Sequence, residues 1–260
     1  MIYTCYEMAA DCGADRPEGW RYFIRTYVPV MRKILRRHGA AEDVLQGVVT
    51  AVGKPESSLF HSTEPAEERW FVAELRQKVL AELAPSAAAA TLDLETVAAA
   101  LEPLTLLEKQ AAWLATLLYD AAESGPMLRM SPATVQKIRD KALELLRGKT
   151  DTWSRDMLIT EGTALGRLAA AASTPDCLRA KVFLDVLDGR TTWRGREEME
   201  QHAARCWHCM DYYCRLVEVV DLLRGIEPLS EEEAAPFLRL LGVKLEKPGL
   251  WKRLVGKAAH

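Results

Sequence analysis

The chain has no apolar run approaching the ~20 residues that a bilayer-crossing helix requires. Its longest such stretches are the alanine tracts SAAAAT and LAAAAS, so no membrane crossing is expected. A basic segment followed by an apolar core is also missing at the start, where MIYTCYEMAADCGADRPEGW carries acids early, and no secretory signal is expected. The expected compartment is the cytoplasm. Strand signals are nearly absent, with no alternating β-branched run bounded by Asn-Gly or Asp-Gly turns. A Gly-rich phosphate loop, a helix-borne His-Glu-x-x-His and a nucleophile motif are all lacking, so an enzyme is not expected. The net charge of -3 excludes a general polyanion binder, because phosphate binding needs an excess of Lys and Arg, and any nucleic-acid contact must be local.

What is present is helix. A chain of 260 residues, 49% hydrophobic and 27% charged, can bury ordinary cores, and its periodicity reads as all-α. Phe23, Tyr27, Val30, Met31 and Ile34 recur at three- and four-residue spacing and predict an amphipathic helix from Trp20 to His38. That helix holds the densest basic run, Arg21, Arg25, Arg32, Lys33, Arg36 and Arg37, which reads as a solvated face or a local nucleic-acid contact. AEDVLQGVVTAV follows as a second helix, and PAEERWFVAELRQKVLAEL opens with Pro65 and acids in its first turn. APSAAAAT reads as a linker, after which Thr91 or Asp93 can cap the next helix.

GPMLRMSPATVQKIRDKALELLRG reads as a short helix, a tight connection and a longer helix. Ser131 is its N-cap, Pro132 its first residue, and Val135, Ile138, Ala142 and Leu145 its buried stripe. Ala133, Gln136, Lys137, Asp140 and Lys141 lie opposite. This pattern fits a helix-turn-helix, whose second helix offers its N-terminal residues to a major groove. A polar, broken stretch, GKTDTWSRDMLITEGTALG, separates it from a third unit. At the end of the chain GLWKRLVGK reads as a terminal helix packed on its own protein, in preference to a membrane-surface segment.

In the third unit, His202-x3-Cys206-x2-Cys209 supplies imidazole and thiolates, the ligands of tetrahedral Zn²⁺. His202 and Cys206 lie one helical turn apart, and the two-residue gap lets both sulfurs converge on one ion. Cys177 is the best fourth ligand, placed at the start of the preceding helix and folded back by the Asp188-Gly189 turn; Cys214 and His208 are its rivals. A closed four-ligand shell makes the metal structural, and oxidation of a thiolate could eject it. Cys5 and Cys12 read as small buried residues.

Cys177, the LDG of Leu187 to Gly189, and EMEQHAARCWHC together resemble a zinc-binding anti-sigma domain, a helical domain that holds bacterial sigma factors inactive. The resemblance implies the ligand set Cys177, His202, Cys206 and Cys209. FIRTYVPVMRKILRR followed by AEDVLQGVVTAV resembles region 2 of extracytoplasmic-function sigma factors. Its DVLQ segment, Asp43 to Gln46, matches the helix that docks on core RNA polymerase. The stretch from LEPLTLLEK to ALELLRG resembles region 4, with SPATV matching the start of its promoter-reading helix. The residues expected at DNA are Ser131, Ala133, Thr134, Gln136, Lys137 and Lys141, and those at polymerase Asp43 and Gln46.

Two departures carry consequences. The third helix of the region 2-like part ends without the family's Asn and basic residues, which bears on promoter melting. The promoter-reading helix has Gln136, Lys137, Arg139 and Lys141 beside Asp140 in place of several arginines, which implies weaker, more salt-sensitive phosphate anchoring. The expected organisation is a region 2-like domain at 1–84, a region 4-like domain at 92–150, a zinc-binding domain at 175–226 and a helical tail at 227–260. The zinc-binding domain would regulate the other two in cis, at an effective concentration of ~mM for a short flexible tether. The alternative is a degenerate sigma-like scaffold that binds a protein partner through the zinc-binding domain without initiating transcription.

Overall fold

The computed structural model describes residues 3–61, 68–83, 92–150 and 153–244. The all-α expectation holds: the described residues form fourteen helices and no strand. They are α1 (Cys5–Gly13), α2 (Pro17–Arg37), α3 (Val44–Val52), α4 (Glu68–Leu83), α5 (Leu94–Leu101), α6 (Leu106–Trp113) and α7 (Ala121–Leu128). After these come α8 (Pro132–Arg147), α9 (Met157–Thr160), α10 (Gly162–Ala171), α11 (Ala180–Leu187), α12 (Trp193–Ala203), α13 (Trp207–Leu223) and α14 (Glu231–Leu240). None of the described helices is long and apolar enough to cross a membrane. The linker at 84–91, the Pro65 helix start, the Thr91 cap and the GLWKRLVGK segment lie outside the described residues.

The chain forms two compact units, residues 1–82 with 225–260, and residues 83–224. The chain therefore leaves the first unit, builds the second and returns.

In the first unit α2 is the central element. Pro17 opens it with φ preset for a helix, and its apolar stripe Trp20, Phe23, Ile24, Tyr27, Met31 and Ile34 is buried. Phe60 meets this stripe edge-on, with centroid distances of 5.2 Å to Trp20 and 5.3 Å to Phe23, and Phe71 packs tilted on Tyr27 at 4.8 Å. Each such pair adds about 0.5–1.5 kcal/mol to the burial of its rings. Ahead of it, α1 is closed by a Thr4–Glu7 capping box and buries Met8 and Cys12 against α2. The returning chain lays α14 on α2 and α3, capped by its own Ser230–Glu233 box, and buries Ala234, Phe237 and Leu238. Just ahead of α14, the Leu229 N–H donates to the Arg25 carbonyl at 2.8 Å, and Arg25 Nε donates to the Leu229 carbonyl at 2.8 Å. The basic run on α2 is therefore partly engaged within the chain, with Arg32 also paired to Glu42.

In the second unit one core joins α5, α6, α8, α9 and α10 to Trp207, Met210 and Cys214 of α13. The stretch read as a polar break, 148–166, behaves differently from that reading. It contains α9 and the start of α10, and Met157, Leu158, Leu165 and Ala169 are buried in this core. Arg155, Asp156 and Thr160 lie on the outside of a short amphipathic pair, which a linear reading registers as a break. Gly162 opens α10 against the Thr116 backbone, where a Cβ would come within 2.4 Å of the carbonyl oxygen.

Candidate metal centre and helix-turn-helix

Three elements deliver the four ligands. Cys177 sits in a turn after α10, its N–H donating to the Thr174 carbonyl at 3.0 Å. The sequence reading placed it at the start of a helix, but α11 begins at Ala180, because this turn ties the chain first. Gly189, at φ +67, ends α11 in the left-handed region that glycine adopts without cost, and Thr192 caps α12. His202 is in the last turn of α12, Cys206 is the N-cap of α13, and Cys209 lies in the first turn of α13. The positive end of the α13 dipole favours thiolates here.

The ligand atoms of Cys177, His202, Cys206 and Cys209 all lie within 4.8 Å of one another. Cys177 Sγ is 3.7 Å from Cys206 Sγ, and His202 Nε2 is 3.1 Å from Cys209 Sγ. Zinc–sulfur bonds of ~2.3 Å in a tetrahedron give a sulfur–sulfur edge of about 3.8 Å, so the Cys177–Cys206 separation already suits the ion. Backbone N–H groups support the sulfurs: Thr174 donates to Cys177 at 3.2 Å and Leu178 to Cys209 at 3.3 Å. Burial alone would push the Cys177 thiol up, but the Thr174 donors and its cysteine neighbours hold it below its ordinary value. Burial pushes Cys209 up to about 12, with the Cys206 sulfur adding to the effect. A divalent cation among these sulfurs reverses that balance and takes the thiolate form outright. The set fits a metal ion and is compatible with zinc. His202 and Cys206 also line a cavity of about 890 Å³.

The rival ligands are elsewhere. Cys214 is buried in the core beside Met210 Sδ at 3.7 Å, and His208 Nδ1 meets the carbonyls of Ala169 and Ala170 at 3.3 and 3.1 Å.

The helix-turn-helix candidate is α7, a short turn and α8. Ser131 caps α8, its Oγ accepting from the Thr134 N–H at 3.1 Å, and Pro132 opens it. Val135, Ile138, Ala142 and Leu146 are buried, with Leu146 taking the place expected of the half-buried Leu145. Ser131, Ala133, Thr134, Gln136, Lys137 and Lys141 are exposed. Gln136 Nε2 donates to Asp140 at 2.9 Å, and Lys141 Nζ reaches Glu108 at 2.8 Å. That lysine's hydrogen bond, with Thr105, holds the Glu108 carboxyl below its usual range. Arg139, counted from sequence among the cations of this helix, is buried: it donates to the Ala111 carbonyl at 3.0 Å and to Ser124 Oγ at 2.8 Å. It fastens α8 to α6 and α7, and burial lowers its pKa. Asp43 and Gln46 are exposed at the start of α3, whose Leu45, Val48, Val49 and Val52 are buried.

A polar network absent from the sequence reading seats α13 on α6. Asp211 accepts from Trp113 Nε1 at 2.8 Å and from Arg215 at 2.8 and 2.7 Å, and all three side chains are buried. Trp113 and Trp207 pack with ring centroids 5.0 Å apart, and Lys109 Nζ donates to the Ala204 carbonyl at 2.7 Å. The four-residue spacing of Asp211 and Arg215 was a legible helix pair; nothing local announced that it would be buried. No family model, curated protein or solved structure matches this chain.

Proposed function

We propose that this protein is a sigma-like regulator of transcription initiation, held in check by a metal-stabilised anti-sigma-like domain in the same chain. In this reading Asp43 and Gln46 on α3 meet core RNA polymerase, the exposed face of α8 meets promoter DNA, and no catalytic step is involved. Zinc bound by Cys177, His202, Cys206 and Cys209 serves as a structural ion that ties the turn after α10 to α12 and α13.

The observation that carries the cis control is the path of the chain. The segment following the metal-binding helices packs α14 onto α2 and onto α3, the helix that the reading gives to polymerase, on the side away from the exposed Asp43 and Gln46. Phe237 and Leu238 are its buried anchors. The experiment is binding of the full chain to bacterial core RNA polymerase, compared with a Phe237→Glu, Leu238→Glu variant that loosens α14. The variant should bind more tightly than the unaltered chain. Absence of binding by both would reject the sigma reading, and equal binding would reject the cis control.

A second reading, a scaffold that binds a protein partner and leaves promoters alone, is favoured by one observation. With Arg139 buried, Lys141 paired to Glu108 and Arg147 to Glu144, Lys137 is the cation of α8 outside such contacts among the described residues. Phosphate anchoring there is thin. If α8 binds DNA, Lys137→Ala should weaken binding and lower its salt dependence by about one counterion. No change at low salt would support the scaffold.

A further inference from the structure

A cavity of about 470 Å³ lies in the first unit between α2, the N-terminal segment and the chain ahead of α14. Its volume is within the ~300–1,000 Å³ usual for small-molecule sites. Tyr3 and Tyr22 form one wall, their ring centroids 5.1 Å apart, with the Tyr3 hydroxyl held by Asp11. Arg21 and Arg25, one turn apart on α2, bring two positive charges, and Pro228 is also part of the lining. The described hydrogen bonds of these guanidiniums go to backbone carbonyls: Arg25 to Leu229 at 2.8 Å, and Arg21 to Lys244 at 3.4 Å. A guanidinium carries five N–H donors, so each retains donors beyond that bond. Among the described residues Glu18 is the one carboxylate of the lining, against two arginines.

We propose that this cavity binds a small planar anion. Its aromatic body lies against Tyr3 and Tyr22, its phosphate or carboxylate is held by Arg21 and Arg25, and Glu18 accepts an N–H from the ligand where it has one. Arginine suits this task because its planar fork pairs with either oxyanion in two parallel bonds. The inference is independent of the transcription reading.

The test is titration calorimetry of the full chain at low salt with adenosine monophosphate, salicylate, adenosine and inorganic phosphate. Adenosine monophosphate or salicylate should saturate one site per chain with Kd below ~1 mM, and adenosine and phosphate should each bind at least about tenfold more weakly. Tighter binding of the nucleotide assigns a phosphate ligand, and tighter binding of salicylate a carboxylate. Arg21→Gln should weaken the better ligand about tenfold with helical circular dichroism unchanged. If that variant loses helix, Arg21→Lys, which keeps the charge and removes the fork, should weaken it about threefold or more. Failure of both anions to saturate, or variants that bind like the unaltered chain, overturns the proposal.

Discussion

Replacing Asp211 by alanine should destabilise the second unit by about 3–5 kcal/mol, the cost of breaking a buried ion pair by removing one partner. The carboxylate is 1 % exposed and accepts three hydrogen bonds, one from Trp113 Nε1 and two from Arg215. Its removal strands the indole N–H, worth about 1–3 kcal/mol by itself. It also takes from the Arg215 guanidinium a carboxylate that accepts two of its hydrogen bonds. The Tyr212 ring, 5.2 Å from that guanidinium, remains as a cation–π contact and returns about 0.5–2 kcal/mol. Asp211→Asn keeps an acceptor for Trp113 and should cost less than the alanine variant. Cys214→Ala is the packing control, buried on the same helix with its Sγ against Met210 Sδ and outside the hydrogen bonds of Asp211, and should cost about 1–2 kcal/mol. Urea unfolding followed by tryptophan fluorescence reads all three, since Trp113 and Trp207 report on the α6–α13 contact directly. An Asp211→Ala variant that loses no more than the Cys214 control would show that the network does not hold the two helices together.

Further outcomes follow from other sites. Cys206→Ser should abolish bound metal whereas Cys214→Ser and His208→Asn retain it; loss of metal from either of the last two would refute the ligand set, with metal content measured on purified protein. Burial, with Arg76 and Arg37 beside it, lowers the pKa of His38 from 6.5 to about 4. Between those values the unfolded chain binds more protons than the folded one, so this group's contribution is complete above pH 6.5 and is lost as pH falls towards 4. That amounts to about 2 kcal/mol between pH 8 and pH 5. His38→Asn should flatten this part of the pH dependence of urea midpoints, and an unaltered slope would count against it. Gly162→Ala places a Cβ against the Thr116 carbonyl and should cost about 1–3 kcal/mol in thermal or urea unfolding; a neutral effect would mean that α10 shifts freely.

Local chemistry made much of this chain legible. The period of apolar residues sets α2, and Ser131 with Pro132 sets the start of α8, because caps and helical stripes act over a few neighbouring residues. His202, Cys206 and Cys209 declared a metal site by ligand type and spacing, which the fold gathers with Cys177. The Thr4-x-x-Glu7 box announces α1 as well.

Other features needed the tertiary structure, because they depend on what lies opposite a residue. Arg139 and Lys141 read alike as cations of one helix, yet one is buried between α6 and α7 and the other pairs with Glu108. The choice of Cys177 over Cys214 depends on a turn that brings its sulfur to Cys206, while Cys214 faces the core. Whether Asp211 and Arg215 form a surface pair or a buried joint to Trp113 depends on which face of α13 meets α6. Sequence by itself determined the stripe of α2, the start of α8 and which side chains can bind a metal, since those follow from neighbours along the chain. Tertiary packing alone decided which charges are exposed, which are committed within the protein, and that α14 returns to cover α2 and α3, since each depends on residues distant in sequence.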